Sequence, residues 1–280
     1  VQGAIVTFTK IRDAITSNQA VLGLTLSILV GVIAGFGAVG FRWMIKFVQS
    51  FFFGTVAGWF SFMGDYYVIL LPAIGGLVVG LVVYFGAREA RGHGVPEVME
   101  SVALRGGKIR PRVAVVKIIA SAVCIGSGGS VGREGPIVQI GASAASAIGQ
   151  WFRLPANWMR TLVACGAAGG ISATFNTPLA GVFFAMEIIL GHFVTPHLGY
   201  VFISAVAGSI ISHIYLGDMP AFVVPTYGMI SNWEILSYAL LGIVAALAAI
   251  AFVKLLYFSE KAFDRLAIPD YIKPFIGGIG

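Results

Sequence analysis

Five stretches of this chain carry no Asp, Glu, Lys or Arg: Ala20 to Phe41, Tyr66 to Ala87, Thr161 to Met186, Ile188 to Gly217 and Ile235 to Val253. Each is about as long as, or longer than, the roughly 20 residues that a helix needs to cross a bilayer. Of the 280 residues, 58% are hydrophobic and 11% charged, against about 25% charged in soluble domains. A soluble fold has to cover itself with charge, whereas a lipid-embedded bundle turns apolar surface outward and keeps its polar groups inside. The chain therefore reads as an all-α, polytopic membrane protein whose first partner is the lipid bilayer.

Two of the five runs are interrupted, one by Pro178 and one by Pro196, and the region from Lys117 to Arg153 offers only short uncharged pieces separated by Arg133 and Glu134. These pieces predict half-spans. The net charge of +6 is concentrated in Arg88, Arg91, Arg105, Lys108, Arg110 and Arg112, while residues 49–66 hold no basic residue. That asymmetry is membrane topology rather than a nucleic-acid face: the positive-inside rule puts the 88–112 connection in the cytoplasm. Lys254, Lys261, Arg265 and Lys273 predict a second inward end. Residues 1–19 read as a cytoplasmic, amphipathic lead-in without a signal peptide, and residues 20–280 as one membrane domain. The final PFIGGIG reads as the start of a further helix.

Gly31 and Gly35, Gly76 and Gly80, and Gly166 and Gly170 have the G-x-x-x-G spacing that allows helix backbones to approach closely. Cys124 and Cys165 sit among apolar residues and read as small core side chains. The glycine runs fit neither a Walker loop nor a dinucleotide fingerprint. No nucleophile triad, paired-carboxylate site, metal cluster or cofactor motif stands out, and the reading is of a non-enzyme. His192, His197 and His213, with Trp151, Trp158 and Trp233, read as packing or interface residues.

The chemistry gathers in GSGGSVGREGPIVQIG, residues 126–141. Pro136 suits the first turn of a helix, where a missing N–H costs nothing, so a helix is predicted from Pro136, or just before it, to about Gln150. The free amides and positive dipole end of such a helix bind an anion without any basic side chain. RGHGVPEVMESVAL, from Arg91 to Leu104, repeats the design: Gly92 and Gly94 flank His93, and Pro96 opens a helix. In FNTPLAG, from Phe175 to Gly181, Pro178 opens a third. Broken helices aimed at one central site are how transporters hold ions inside a bilayer. Glu134 beside such a site would compete with the anion for the same donors and release it when protonated, serving as gate and proton carrier. The alternative is a structural ion pair.

On GREGP with VQIG (Gly132 to Pro136, Val138 to Gly141), GHGVPE (Gly92 to Glu97) and FNTPLAG, the chain closely resembles the CLC family of chloride channels and proton-coupled anion antiporters. The resemblance runs from about Ala20 onward and corresponds to the first part of that family's membrane domain. It implies a homodimer in a cell membrane, each subunit with its own anion pathway built from inverted repeats of broken helices. It implies that Glu134 is the gate, that the amides around Arg133, Glu134 and Gly135 form the outer and central contacts for chloride or a similar small anion, and that Gly92 and His93, with Gly94 beside them, form the inner one. His93 stands where the family commonly has serine; it can donate an N–H instead and adds charge when protonated. Ile188, after Glu187, occupies the place of the family's inner proton-transfer glutamate. The expectation is an anion pathway that is passive or weakly coupled to protons, with full antiport as the alternative and a non-transporting scaffold or anion and pH sensor as a remoter one.

Overall fold

The computed structural model describes residues 19–193, 198–217, 228, 231 and 233–279; the lead-in at residues 1–18 and the break at Pro196 and His197 lie outside them. All described regular structure is helical: α1 (Gln19–Ser50), α2 (Tyr67–Phe85), α3 (Val95–Leu104), α4 (Arg112–Gly126), α5 (Glu134–Trp151), α6 (Ala156–Phe175), α7 (Pro178–Phe184), α8 (Leu198–Leu216), α9 (Glu234–Arg265) and α10 (Lys273–Gly277). Among the described residues, four helical stretches are long and apolar enough to cross a membrane: Ala20–Trp59, Phe62–Phe85, Leu198–Leu216 and Glu234–Arg265. The protein is multi-pass.

The first span is longer than its uncharged run. Helix α1 continues through Arg42 and Lys46 into a wide π-helical segment, Phe51–Val56, and a last turn, Ala57–Trp59. Long basic side chains can lie along a helix and send their charge to the interface, so a charge near a span's end does not stop it. The last helix likewise runs past Lys254 and Lys261 to Arg265. By contrast, α4 and α5 have 15 and 18 residues, about 22 and 27 Å at 1.5 Å per residue, short of a hydrocarbon core about 30 Å thick. These are the predicted half-spans. The Thr161 to Met186 run is broken as Pro178 requires, α6 ending at Phe175 and α7 restarting at Pro178.

Helix α6 is the centre of the bundle, buried along most of its 20 residues, and α1, α5 and α8 close on it. Its Ala- and Gly-rich surface permits this. A methyl added at Gly166 would meet the Gly141 carbonyl and lie 2.8 Å from Ala145 Cβ, and one at Gly170 would lie 2.9 Å from Ile137 O, both on α5. Gly31 faces the Ser204 carbonyl and Gly35 faces Ile211 Cβ, so α1 meets α8 in the same way. Gly76 and Gly80 on α2 receive the carbonyls of Pro274 and Tyr271. All three G-x-x-x-G pairs lie at close backbone crossings. Ser204 Oγ donates to Cys165 O at 2.8 Å, and Ser212 Oγ to Ala173 O, pinning α8 to α6. Helix α9 buries none of its residues and stands at the edge of the bundle.

Candidate anion site

Helices α3 and α5 both begin where the sequence requires. Gly94 precedes α3 at φ 93°, a conformation open to glycine, with Pro96 in the first turn. Arg133 precedes α5, whose first three residues are Glu134, Gly135 and Pro136. The amides of a first turn have no carbonyl within their own helix, so each helix presents free N–H groups at its start.

Those two starts touch through their backbones. A methyl on Gly135 would collide with the His93 carbonyl, and one on Gly94 would lie 3.0 Å from the Gly135 carbonyl. Only glycine permits the approach on both sides. The junction opens on a cavity of about 710 Å³ lined by Gly92, His93, Gly132, Glu134, Gly135 and Pro136. Val79 and Tyr84 of α2, Ser121 and Cys124 of α4, Phe252 and Leu256 of α9, and Tyr271 also line it. Three cationic side chains, Arg88, Arg91 and Lys117, line it against two carboxylates, Glu134 and Asp270, so the surroundings lean positive.

The Glu134 side chain curls back over the loop before its helix, its Oε2 against the position where a Gly132 methyl would be. It forms no ion pair among the described residues, and the direct Arg133–Glu134 pair is not made. The Arg133 guanidinium instead lies over the Phe175 ring, 5.5 Å from its centroid. Arg133 and Gly94 stand behind the cavity wall, not in it. Ile188 is part of a π-helical continuation of α7, Ala185–Leu190, away from the cavity.

The structure departs from the sequence reading in two ways. The third proline loop, Phe175 to Gly181, supplies no lining residue; it meets the site through Phe175 beneath Arg133. Cys165 is fully buried as expected, but Cys124 is only partly buried and lines the cavity.

Three contributors were not picked out from the sequence. Lys117, 3% exposed, donates from Nζ to Gly92 O at 2.7 Å and Ala90 O at 3.0 Å, holding the loop before α3 by its carbonyls. Its signal was a single charge within the apolar sequence VAVVKIIASAVC, since ionisable groups inside membrane segments are rare and functional. Gln139, fully buried on α5, donates from Nε2 to Glu89 O at 2.8 Å. Arg91 pairs with Asp264 at 3.2 Å and Asp270 at 3.5 Å, joining the basic connection to the far end of α9. At this end Lys273 hydrogen-bonds Asp270 and, with Arg91 and Arg88 nearby, holds its carboxyl below the usual range.

Comparison with known proteins bears on the family and the fold. The profile of the voltage gated chloride channel family matches residues 75–280. A ClcB-like protein of Ralstonia nicotianae is 32% identical over 269 residues, covering 91% of this chain and 61% of the relative. A slow cyanobacterial Cl-/H+ antiporter superposes with a TM-score of 0.78 at 22% identity, over 92% of this chain and 63% of the other. A CLC-type fluoride/proton antiporter does so at 0.77 and 25% identity, over 93% and 64%. The chain thus spans somewhat less than two thirds of each of these proteins. With a profile match over most of its length and the fold of the CLC transporters, the chain belongs to the voltage gated chloride channel (CLC) family.

Proposed function

We propose that this chain forms part of a membrane pathway for chloride or a similar small anion, gated by Glu134 and passive or weakly coupled to protons. The observation that carries this reading is the backbone junction of α3 and α5: two helix starts locked together by Gly94 and Gly135, with free amides and the Glu134 carboxylate beside one cavity. Amide donors and helix dipoles hold a small anion while binding it more weakly than fixed cations would, as conduction requires. A carboxylate in the same space displaces the anion when charged and yields when protonated.

In this reading residues 20–280 are a transport domain working as a homodimer in a cell membrane. Residues 1–19 and the 88–112 connection are cytoplasmic. Gly92 and His93, with Gly94 behind them, form the inner contact, and Glu134 and Gly135, with Arg133 behind them, the outer and central ones. His93 sets anion preference through its ring N–H. Ile188 carries no proton, which favours weak coupling. A second reading, full antiport, is favoured by the two superposed proteins, one a Cl-/H+ and the other a fluoride/proton antiporter; a water chain would then stand in for the side chain missing at Ile188.

The test is reconstitution of the full-length protein in liposomes under a chloride gradient, recording chloride efflux and external pH together. Chloride flux with little pH change supports the first reading; proton movement driven uphill by chloride supports antiport. Glu134→Ala should retain anion flux and abolish any coupling. Coupling that survives in that variant removes Glu134 from the gate, and absence of flux in the unaltered protein removes transport.

A further inference from the structure

From the Glu134 loop a series of contacts leads away from the cavity to a helix that does not line it. Asn176 ends α6 in the left-handed conformation, φ 58° and ψ 40°, its N–H directed to Ser172 O. Asparagine takes this conformation at helix ends more readily than other non-glycine residues, and contacts to its side chain hold it there. Those contacts come from α8: Asn176 Oδ1 accepts from Ser209 Oγ at 3.0 Å and from His213 Nε2. Ser209 and His213 are four residues apart and so share one face of α8. Because Oδ1 accepts, Nε2 of His213 carries the hydrogen. The residue before Asn176 is Phe175, whose ring supports the Arg133 guanidinium, and Arg133 is the residue on which α5 and Glu134 begin.

We propose that His213 is a positioning residue for the gate. With Ser209 it fixes the Asn176 side chain and hence the left-handed turn; the turn fixes the plane of the Phe175 ring; and the ring holds Arg133 by cation–π attraction, which depends on the cation lying over the face. Arg133 in turn sets the direction in which the first turn of α5 projects Glu134. The α6–α7 break that contributes no lining residue thus acts on the site from behind. This inference rests on the reading of Glu134 as the gate.

His213→Leu removes a donor to Asn176 Oδ1 and keeps apolar bulk, whereas His213→Gln retains an N–H donor at similar reach. Chloride efflux from liposomes containing the full-length protein is measured for both, each with Glu134 present and with Glu134→Ala. With Glu134 present, His213→Leu should change the rate about tenfold, the equivalent of one buried hydrogen bond, and His213→Gln should stay within about twofold of the unaltered protein. In the Glu134→Ala background the effect of His213→Leu should vanish, as expected for residues acting through one another. An equal loss in both backgrounds, or no loss in either, overturns the proposal. Glu134→Ala indistinguishable from the unaltered protein overturns the gate reading, and this proposal with it. Should His213→Leu fail to fold, Phe175→Leu interrupts the same series of contacts and should give the same rate change, again only with Glu134 present; an unchanged rate in that variant counts against the proposal.

Discussion

Replacing Gly135 by alanine adds a single methyl at the point where the two helix starts meet. The new carbon would fall against the His93 carbonyl, 3.0 Å from its carbon and closer still to its oxygen. Ordinary contact needs about 3.5 Å, so the His93 backbone has to retreat by at least about 1 Å. It cannot turn aside as a side chain would, because the neighbouring Gly92 carbonyl is held by Lys117. Alanine is the better helix former by about 1 kcal/mol, while forcing bulk into a packed site costs about 1–3 kcal/mol. The net expectation is a loss of up to about 2 kcal/mol. The functional effect is larger: a shift of 1 Å takes one or more amides out of range of an anion, and a hydrogen bond to a charged group contributes about 1.5–3 kcal/mol, a tenfold to hundredfold weakening. The assay pairs thermal melting in detergent with chloride efflux from liposomes. Gly40→Ala, on a helix of the same bundle with nothing within 4 Å of the new methyl, serves as the control and should melt at or above the original temperature. If Gly135→Ala melts and conducts like the unaltered protein, the backbone junction is not the anion site.

Lys117→Met should strand the carbonyls of Ala90 and Gly92, at about 1–3 kcal/mol for a buried group left unbonded; an unchanged melting temperature would mean that Lys117 does not hold the loop. His93→Ser should alter the ratio of chloride to fluoride flux without lowering thermal stability, and identical ratios would place His93 off the ion's path. Because Lys273, first, and Arg91 depress the Asp270 carboxyl, the tie between the 88–112 connection and the end of α9 contributes above the ordinary Asp range and is lost as pH falls through the lowered value, below about pH 4. Hydrogen exchange at residues 269–273 should therefore be equally protected at pH 7 and pH 5, and loss of protection by pH 5 would contradict the depression.

Much of the site was legible because its constraints are local. Proline in a first turn, glycine at a positive φ and a charge within an apolar run each act through the residue's own backbone or solvation, and they placed α3, α5 and α7 within a residue or two. The same local rules wrongly read Cys124 as core, because an apolar neighbourhood in sequence says nothing about which face of α4 meets a cavity. They also drew Phe175 to Gly181 into the cavity lining, because a helix start shows where amides are free but not where they point.

By itself, the sequence determined that the chain lives in a bilayer, that its helices pack by backbone contact, and where two glycine-proline helix starts and Glu134 fall along it. These follow from transfer of side chains to lipid and from the stereochemistry of single residues. Tertiary structure decided that Gly135 rests on His93, that Lys117 holds the Gly92 carbonyl across 25 residues, and that His213 reaches Asn176 across 37. Such pairings depend on the angles at which distant helices cross, and those angles are set by the summed packing of the whole bundle.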